Sequence, residues 1–392
     1  MRRLLFLVSA IVLVETIFFS ALSPLLPHYS DEFGLSKTQS GLLVGAYAVG
    51  GFFGAIPGGL FATRVGVKPT VLLGMAILSS MSVAFGFGQN AWVLDVARLG
   101  QGFGASFAWG GGLAWLVAAV PRHRRGELIG IAMGAAVGGA LLGPVLGGAA
   151  TIVGTGPAFT AVAAVALGLA VWAWFTPAFR PGERQPLSAL LNAVREPRVA
   201  AGIWLLALPS LLFGVLGLLA PLRLDELGFS GKAIGGVFLI AAGFEVVVSP
   251  LVGRWSDRRG RLAPVRAFLL VAVAMSAVLP WPGDRWTLGA VVVLASIAYT
   301  SFFVPGAALL SDGAEDAGLD QGFGFALMNL AWSPGHIIGS TVGGALADVT
   351  GDAVPYLIVA ALCIFTLVAV HRAPASLRRA PLERRRPADA AS

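Results

Sequence analysis

The chain has 392 residues, of which 57% are hydrophobic and only 12% are charged, and its formal net charge is +7. Soluble globular domains carry about 25% charged residues, so this composition excludes a surface fully covered by water and also an intrinsically disordered chain. The single cysteine, Cys363, excludes an intrachain disulfide framework. These bounds leave an integral membrane protein whose chain crosses the bilayer several times.

Twelve apolar segments follow one another along the chain, and each approaches the roughly 20 residues that span a bilayer core. The first segment follows two arginines, as a cleaved signal peptide would, but its length and Glu15 favour a retained span. The sequence therefore predicts an all-α membrane protein with twelve transmembrane helices, near residues 4–26, 39–61, 68–88, 91–119, 127–153, 157–176, 201–221, 233–252, 265–281, 287–309, 323–347 and 353–370.

The basic residues predict the orientation of the chain. In a twelve-span arrangement, 22 of the 27 Lys and Arg residues fall on the side of both termini, and four fall on the other side. Because basic residues accumulate in cytoplasmic loops, both termini are predicted in the cytoplasm, with the chain in the cell inner (plasma) membrane. The loop after the tenth span is the exception, because it carries Asp312, Glu315, Asp316 and Asp320 without a basic residue.

The sequence pI of 10.3 is also explained by this arrangement. Bases beside the spans face an anionic lipid leaflet, so membrane lipid is a predicted partner and nucleic acid is not. We expect a monomer.

An internal repeat divides the chain into two similar halves. Residues 31–36, DEFGLS, recur as DELGFS at residues 225–230, and the same offset places Pro27 on Pro221. Parallel repeats of this kind place a substrate site near the membrane midplane, between the halves. The predicted units are a six-helix bundle at 1–176, a cytoplasmic linker at 177–200, a second six-helix bundle at 201–372 and a basic cytoplasmic tail at 373–392.

The second half contains a loop with the pattern G-x-x-x-D-R-x-G-R, formed by Gly253, Asp257, Arg258, Gly260 and Arg261. Together with the two six-helix halves, this loop resembles the major facilitator superfamily over nearly the whole chain. The resemblance implies two pseudo-symmetric six-helix bundles, alternating access and a conformational latch at this loop; a simple cytoplasmic anchor is the alternative. The first-half copy departs from the pattern, with Thr63 in place of the acid.

The predicted fifth span carries the spacing G-x8-G-x3-G-P-x2-G-G at Gly130, Gly139, Gly143, Pro144, Gly147 and Gly148. This pattern resembles the motif of the twelve-span drug–proton antiporters of the same superfamily. Small residues let helices approach closely, and the proline breaks one backbone bond. We expect this segment to pack tightly at the interface of the halves, with ordinary small-residue packing as the alternative.

Arg98 begins a pattern in the fourth span, R-x-x-Q-G-x-G-A, that also matches the superfamily. An arginine at this depth is costly in lipid and needs a partner. Counting residues from the two membrane faces places Glu15 and Arg98 at nearly the same depth, so a Glu15–Arg98 couple is possible. Asp95, three residues earlier on the same helix face, is the rival partner.

Glu15 and Glu245 are the acids in the most apolar surroundings. A buried carboxyl near an arginine can take up and release a proton as its surroundings change. Glu15, Arg98, Glu245 and Asp95 are therefore candidates for proton coupling or substrate binding. Candidate cavity-lining residues, chosen because drug-like ligands favour aromatic walls with few polar groups, are Tyr47, Gln101, Trp109, Tyr299, Asn329 and Trp332.

His336 follows Ser333-Pro334-Gly335 in the eleventh span. We interpret it as a histidine hydrogen-bonded to a kinked backbone, with proton carriage as the alternative. The chain contains no G-x-x-x-x-G-K-[ST] loop and no H-E-x-x-H pair, so no enzymatic activity, cofactor or metal is predicted.

The predicted function is secondary active transport, with proton-coupled efflux of small amphipathic or cationic compounds. Small-molecule substrates and protons are the predicted partners besides lipid. The first alternative is a uniporter or symporter that imports a nutrient or a lysolipid. An intramembrane enzyme or a channel is more remote, because no nucleophile–base set lies at matched depth and a two-half repeat suits rocking.

Overall fold

The computed structural model describes residues 2–119, 125–178, 187–319 and 321–372, and this part of the chain is helical without strands. Its helices are α1 Arg2–Ser20, α2 Leu26–Phe33, α3 Lys37–Arg64, α4 Val67–Gly86, α5 Ala91–Ala119, α6 Arg125–Val153, α7 Thr155–Phe175, α8 Leu187–Val194, α9 Pro197–Glu226, α10 Gly231–Arg259, α11 Leu262–Val278, α12 Arg285–Asp316, α13 Gln321–Thr350 and α14 Ala353–Arg372.

Twelve of these helices coincide with the twelve predicted spans, and the all-α fold class is confirmed. Within the described residues, nine helices are long and apolar enough to cross a membrane, and α11 is apolar but has only 17 residues. The protein is therefore a multi-pass membrane protein, and the count of twelve crossings is consistent with its helices. The sequence did not predict α2 and α8, each of eight residues.

The domain boundaries stay a prediction. Helix α8 lies inside the predicted linker at 177–200, and α9 begins at Pro197, before the linker was expected to end. The predicted basic tail at 373–392 lies outside the described residues.

The repeated hexapeptide has the same local structure in both halves. Gly34 and Gly228 follow the ends of α2 and α9 with positive φ angles of 61° and 86°, a conformation that glycine adopts without a Cβ penalty. Two residues later, the hydroxyls of Ser36 and Ser230 cap the starts of α3 and α10 by accepting from main-chain amides. The repeat is therefore a stop signal for one helix followed by a start signal for the next.

Helix packing shows a pseudo-two-fold relation between the halves. In the first half α1 packs on α6, α3 on α5, and α4 on both α5 and α7; the corresponding pairs in the second half are α9 on α13, α10 on α12, and α11 on both α12 and α14. The most extensive contacts between the halves are those of α3 with α13 and of α6 with α10. The pseudo-two-fold operation that superposes one half on the other also superposes these two helix pairs on each other.

One end of the molecule is closed by polar contacts between the halves, which we call the clasp: Lys37 and Thr38 of α3 with Asp348 and Asp352 near the end of α13. The Asp348 carboxylate accepts from the main-chain amides of Lys37, at 2.9 Å, and Thr38, at 2.8 Å. It also accepts from the Thr38 hydroxyl, and the Lys37 ammonium pairs with Asp352. The start of α3 is therefore capped by a side chain from the other half.

Helix α6 uses its glycines to approach α1. A Cβ at Gly143 would overlap the Ser20 hydroxyl, and one at Gly139 would lie 2.7 Å from the Cβ of Thr16. On its other side α6 meets α10, where a Cβ at Gly235 would lie 2.8 Å from the Pro144 carbonyl oxygen. The glycines of α6 therefore pack chiefly on α1 within the first half, whereas the expectation was packing at the interface of the halves.

Candidate functional site

Glu15 of α1 is buried at the point where α1 meets α3. Its carboxylate accepts a short hydrogen bond from the Tyr47 hydroxyl and a second one, at 3.1 Å, from the Thr16 hydroxyl. The exposed fraction of Glu15 is 8%, and that of Tyr47 is 4%. The acid that the sequence singled out is thus enclosed by protein and held by two hydroxyl donors.

Arg98 of α5 lies beside this acid, and its guanidinium is fixed on several sides. It donates to the carbonyl oxygens of Phe18, at 3.0 Å, and Phe19, at 3.3 Å, and to the Gln101 side chain at 3.2 Å. Its central carbon, Cζ, lies 4.7 Å from the centroid of the Tyr47 ring. Such a planar, multi-donor site suits arginine and not lysine.

The structure brings Glu15 and Arg98 together without a direct ion pair. Tyr47 stands between them, since its hydroxyl contacts the acid and its ring face contacts the guanidinium. Asp95, the rival partner, is half-buried and makes no ion pair with Arg98 in the described structure. The Glu15–Arg98 couple is therefore an indirect one, mediated by a tyrosine.

Two close backbone approaches set this geometry. A Cβ at Gly102 of α5 would overlap the carbonyl oxygen of Tyr47, and a Cβ at Gly50 of α3 would overlap that of Leu99. The helices α3 and α5 touch main chain to main chain here because neither residue has a side chain. Gly102 belongs to the pattern that begins at Arg98, so that pattern holds Tyr47 beside the arginine.

An aromatic cluster joins the two halves next to this site. Phe19 of α1 contacts the rings of Tyr47, Trp332 and His336 at centroid distances of 5.1, 5.3 and 5.5 Å. Trp332 and His336 of α13 are stacked, with centroids 4.9 Å apart and planes inclined by 14°. Phe19 and Trp332 are only partly buried. The site thus has aromatic walls from both halves around a single buried acid.

The remaining cavity candidates lie in different places. Gln101 is fully buried between α4 and α5, where it donates to the Ser82 hydroxyl at 3.1 Å. Tyr299 is fully buried within the second half, hydrogen-bonded to Ser276 at 2.8 Å. Trp109 and Asn329 are partly buried on α5 and α13. The structure therefore places Gln101 and Tyr299 in helix packing.

Glu245 lies on α10, in the second half of the chain, and its described contact is not with the residues around Glu15. Its carboxyl interacts with the side chain of Thr300 on α12, within the same half. The described residues contain no group of three or more side chains that could hold a metal ion. A role for Glu245 stays a prediction separate from the site at Glu15.

The loop motif of the second half forms an ion-pair network at the end of α10. Arg261 pairs with Asp257 at 2.5 Å and with Asp312 of α12 at 3.1 Å, while Gly260 makes the turn with a φ of 88°. Asp316 pairs with Arg198 of α9 at 2.5 Å. Asp312 and Asp316, two of the four acids that departed from the charge rule, are thus paired with arginines, and these contacts lie within the second half.

The sequence missed one member of the site, Phe19, and the bonding of another, His336. Phe19 follows Glu15 by four residues, which places both on one helix face, and this spacing was the available signal. His336 was expected to be bonded to the kinked backbone, but neither ring nitrogen has a hydrogen-bond partner in the described structure. That expectation is corrected: α13 remains helical through Pro334, and the His336 carbonyl oxygen accepts from the Ser340 hydroxyl.

Comparison with known proteins agrees with this architecture. A family model described as Major Facilitator Superfamily matches residues 8–319. The chain is 27% identical to the hexuronate transporter of Bacillus subtilis (strain 168), over 90% of each chain. It is 24% identical to multidrug resistance protein 1 of the same strain, over 91% of this chain and 92% of that one. It is 25% identical to the quinolone resistance protein NorA of Staphylococcus aureus (strain COL), over 89% and 92%.

Solved structures share the fold at lower identity. A bacterial homolog of the human lysosomal transporter Spinster, in an inward-facing and unoccupied conformation, superposes with a TM-score of 0.76 at 17% identity, over 96% of this chain and 98% of that one. A D-xylose–proton symporter superposes with a TM-score of 0.75 at 14% identity, over 94% and 96%. The chain belongs to the Major Facilitator Superfamily, a family of membrane transporters and not of enzymes.

Proposed function

We propose that this transporter is a proton-coupled exporter of small amphipathic or cationic compounds that works by alternating access. The observation that carries the proposal is the Glu15 carboxyl, buried in the first half, held by Tyr47 and adjacent to Arg98. Ionisable groups at membrane depth are costly and mark ion or substrate pathways. Glu15 is the acid that meets an arginine, a tyrosine and the aromatic walls at one place.

The proposed cycle uses Glu15 as the shared group. A proton enters from outside and neutralises the carboxyl, which releases a cationic substrate. The halves then reorient. The proton leaves to the cytoplasm, and a new substrate binds there. This cycle exchanges substrate for protons because the Glu15 carboxylate binds either the proton or the substrate. The clasp closes the outer end in this scheme, with both termini in the cytoplasm, as the basic residues predict.

The relatives give this proposal partial support. Multidrug resistance protein 1 and NorA are named for drug resistance, and the antiporter-type glycine pattern of α6 agrees with export. The hexuronate transporter is similar at a comparable identity and is named for a sugar acid. Substrate and direction therefore need a direct test.

Import of a small organic anion is the second candidate function. The observation that favours it is the Nε of Arg98, which is buried without a hydrogen-bond partner in the described structure. A guanidinium with an open donor suits a carboxylate. In this case proton and substrate would move in the same direction.

The test uses purified protein in proteoliposomes that enclose a pH-sensitive dye, with an imposed substrate gradient of ethidium. Exchange predicts that ethidium movement drives protons the opposite way, and that Glu15→Gln abolishes this coupling. The matched control is Glu196→Gln, because Glu196 is exposed at the start of α9 and its side chain makes no cap bond. Intact coupled exchange in Glu15→Gln would show that Glu15 is not the coupling group. Movement of ethidium and protons in the same direction would support symport.

A further inference from the structure

His336 is a buried imidazole whose hydrogen-bonding capacity is unused. Its exposed fraction is 5%, and neither Nδ1 nor Nε2 makes a hydrogen bond in the described part of the chain. The backbone of Ser210 faces the ring but does not meet hydrogen-bond geometry. Buried polar atoms are nearly always hydrogen-bonded, so an exception calls for an explanation. In a transporter, a ligand is the natural partner for such a group.

The neighbours of His336 define the shape of that ligand. The imidazole continues the plane of the Trp332 indole, since the two rings are stacked at 4.9 Å and inclined by 14°. Phe19 covers this surface from the other half, at 5.3 Å from Trp332 and 5.5 Å from His336. A flat aromatic ring that replaced Phe19 on this surface would meet two aromatic faces from α13.

Arg98 defines the polarity of the ligand. Its guanidinium acts electrostatically on His336, and its Nε is a second buried donor without a partner. An oxygen acceptor near both groups would take a hydrogen bond from the imidazole N–H while it faces a positive charge. An ammonium group in the same place would face repulsion from the guanidinium. The two side chains come from opposite halves, so the acceptor would bridge them.

We propose that His336 and Arg98 recognise an oxygen acceptor, a carboxylate, at the rim of a planar aromatic substrate whose ring lies against Trp332. This inference rests on the proposed transport function and names the substrate class of the same site. Phe19 belongs to α1 and the stack belongs to α13, so relative movement of the halves uncovers the site. His336 then acts as a specificity-determining residue, and Glu15 remains the proton-coupling group.

The test compares two probes that differ in the acceptor. Norfloxacin carries a ring carbonyl and a neighbouring carboxylate, and its decarboxylated analogue keeps the ring system. Binding of each probe to the purified full-length protein in detergent is measured by equilibrium dialysis. His336→Phe keeps a flat ring against Trp332 but removes the nitrogens, and His336→Gln keeps hydrogen-bonding groups. The control is His28→Phe, since His28 is an exposed histidine on α2.

The expected result is selective loss. His336→Phe should weaken norfloxacin binding by about tenfold, the scale of one lost hydrogen bond, while the analogue changes by less than about twofold. His336→Gln should recover part of the affinity for norfloxacin, and His28→Phe should change neither probe.

Three outcomes overturn the inference. Equal weakening of both probes by His336→Phe would show that the imidazole only supports the fold. Unchanged norfloxacin binding would show that another group or water satisfies His336. Wild-type protein that binds neither probe, or only the analogue, would reject the substrate class. The proposed function is judged separately, by coupled ethidium and proton movement in the wild type.

Discussion

Arg98 makes more interactions than a lysine could make from the same position. Its guanidinium reaches two carbonyl oxygens of α1 and the Gln101 side chain while it stacks on Tyr47. A lysine ammonium is a compact point charge without a planar face, so Arg98→Lys would leave at least one of these acceptors unpaired. We expect Arg98→Lys to lower the free energy of unfolding by about 3 kcal/mol, the scale of a hydrogen bond to a charged group.

Cys363 provides the measurement for this change. It is the single cysteine of the chain and is fully buried, so a thiol-reactive dye reports unfolding of the detergent-solubilised protein on heating. Arg64→Lys is the matched control, because Arg64 is exposed at the end of α3. An unfolding temperature that is the same for Arg98→Lys, Arg64→Lys and the wild type would mean that the contacts of Arg98 do not stabilise the fold.

For individual residues, the sequence predicted which side chains belong to the site better than it predicted which contacts they make. Equal depth brought Glu15 and Arg98 together as candidates, and depth follows from residue counting along a helix. The tyrosine between them was placed by Gly50 and Gly102, whose close approach depends on how two helices pack side by side. The unpaired state of His336 depends on how α1 and α13 pack around its ring, which a single sequence does not specify.

Two glycines of the antiporter-type pattern in α6 have different surroundings, so their contributions to stability can be tested separately. Gly143 packs against Ser20 of α1, whereas Gly130 of the same pattern is exposed, with no atom within 4 Å of a Cβ built on it. We expect Gly143→Ala to destabilise the protein by about 1–3 kcal/mol, as overpacking does. Gly130→Ala should be neutral or stabilising by up to about 1 kcal/mol, because alanine favours a helix.

The Cys363 dye assay and the proteoliposome assay measure both variants. Because α1 carries Glu15, displacement of α1 by Gly143→Ala should also reduce coupled exchange. If Gly130→Ala and Gly143→Ala had the same effect on stability, the glycine pattern would not act through packing on α1.

The elements themselves were largely predictable. Apolar segments of about 20 residues stand out against 12% charged residues, so twelve long helices coincided with predicted spans. Helix α12 extends to Asp316, seven residues beyond its predicted span of 287–309, because a helix continues where the apolar segment stops. The short helices α2 and α8 lack the length for a periodic signal and were missed.

The clasp predicts how the whole molecule responds to acid. Asp348 lies one residue beyond the predicted span 323–347 and is exposed. Slight burial raises the pKa of its carboxyl, but hydrogen bonds from the Thr38 side chain and the amides of Thr38 and Lys37 outweigh this, so the pKa is below its usual value. The carboxylate therefore stabilises the closed clasp at neutral pH, and this contribution is lost as the pH falls through the lowered pKa.

We expect Asp348→Asn to open the clasp end at neutral pH, as acid does in the wild type. Spin labels at Glu32→Cys and Val349→Cys, both exposed and on opposite halves, would measure the opening in a Cys363→Ser background. A longer distance population should grow in Asp348→Asn. Asp284→Asn is the control, because Asp284 caps α12, the helix that directly follows it in the chain. Identical distance distributions in Asp348→Asn and Asp284→Asn would exclude the clasp as a determinant of the closed state.

The cap of α3 has one more consequence. Asp348 comes from α13, so the amides of Lys37 and Thr38 lose their acceptor whenever the halves part. Opening of the transporter therefore weakens the first turn of α3, which then keeps only the cap from Ser36. An antibody fragment that bound the start of α3 in this state would hold the transporter open. It would inhibit transport from a surface that does not contact the substrate.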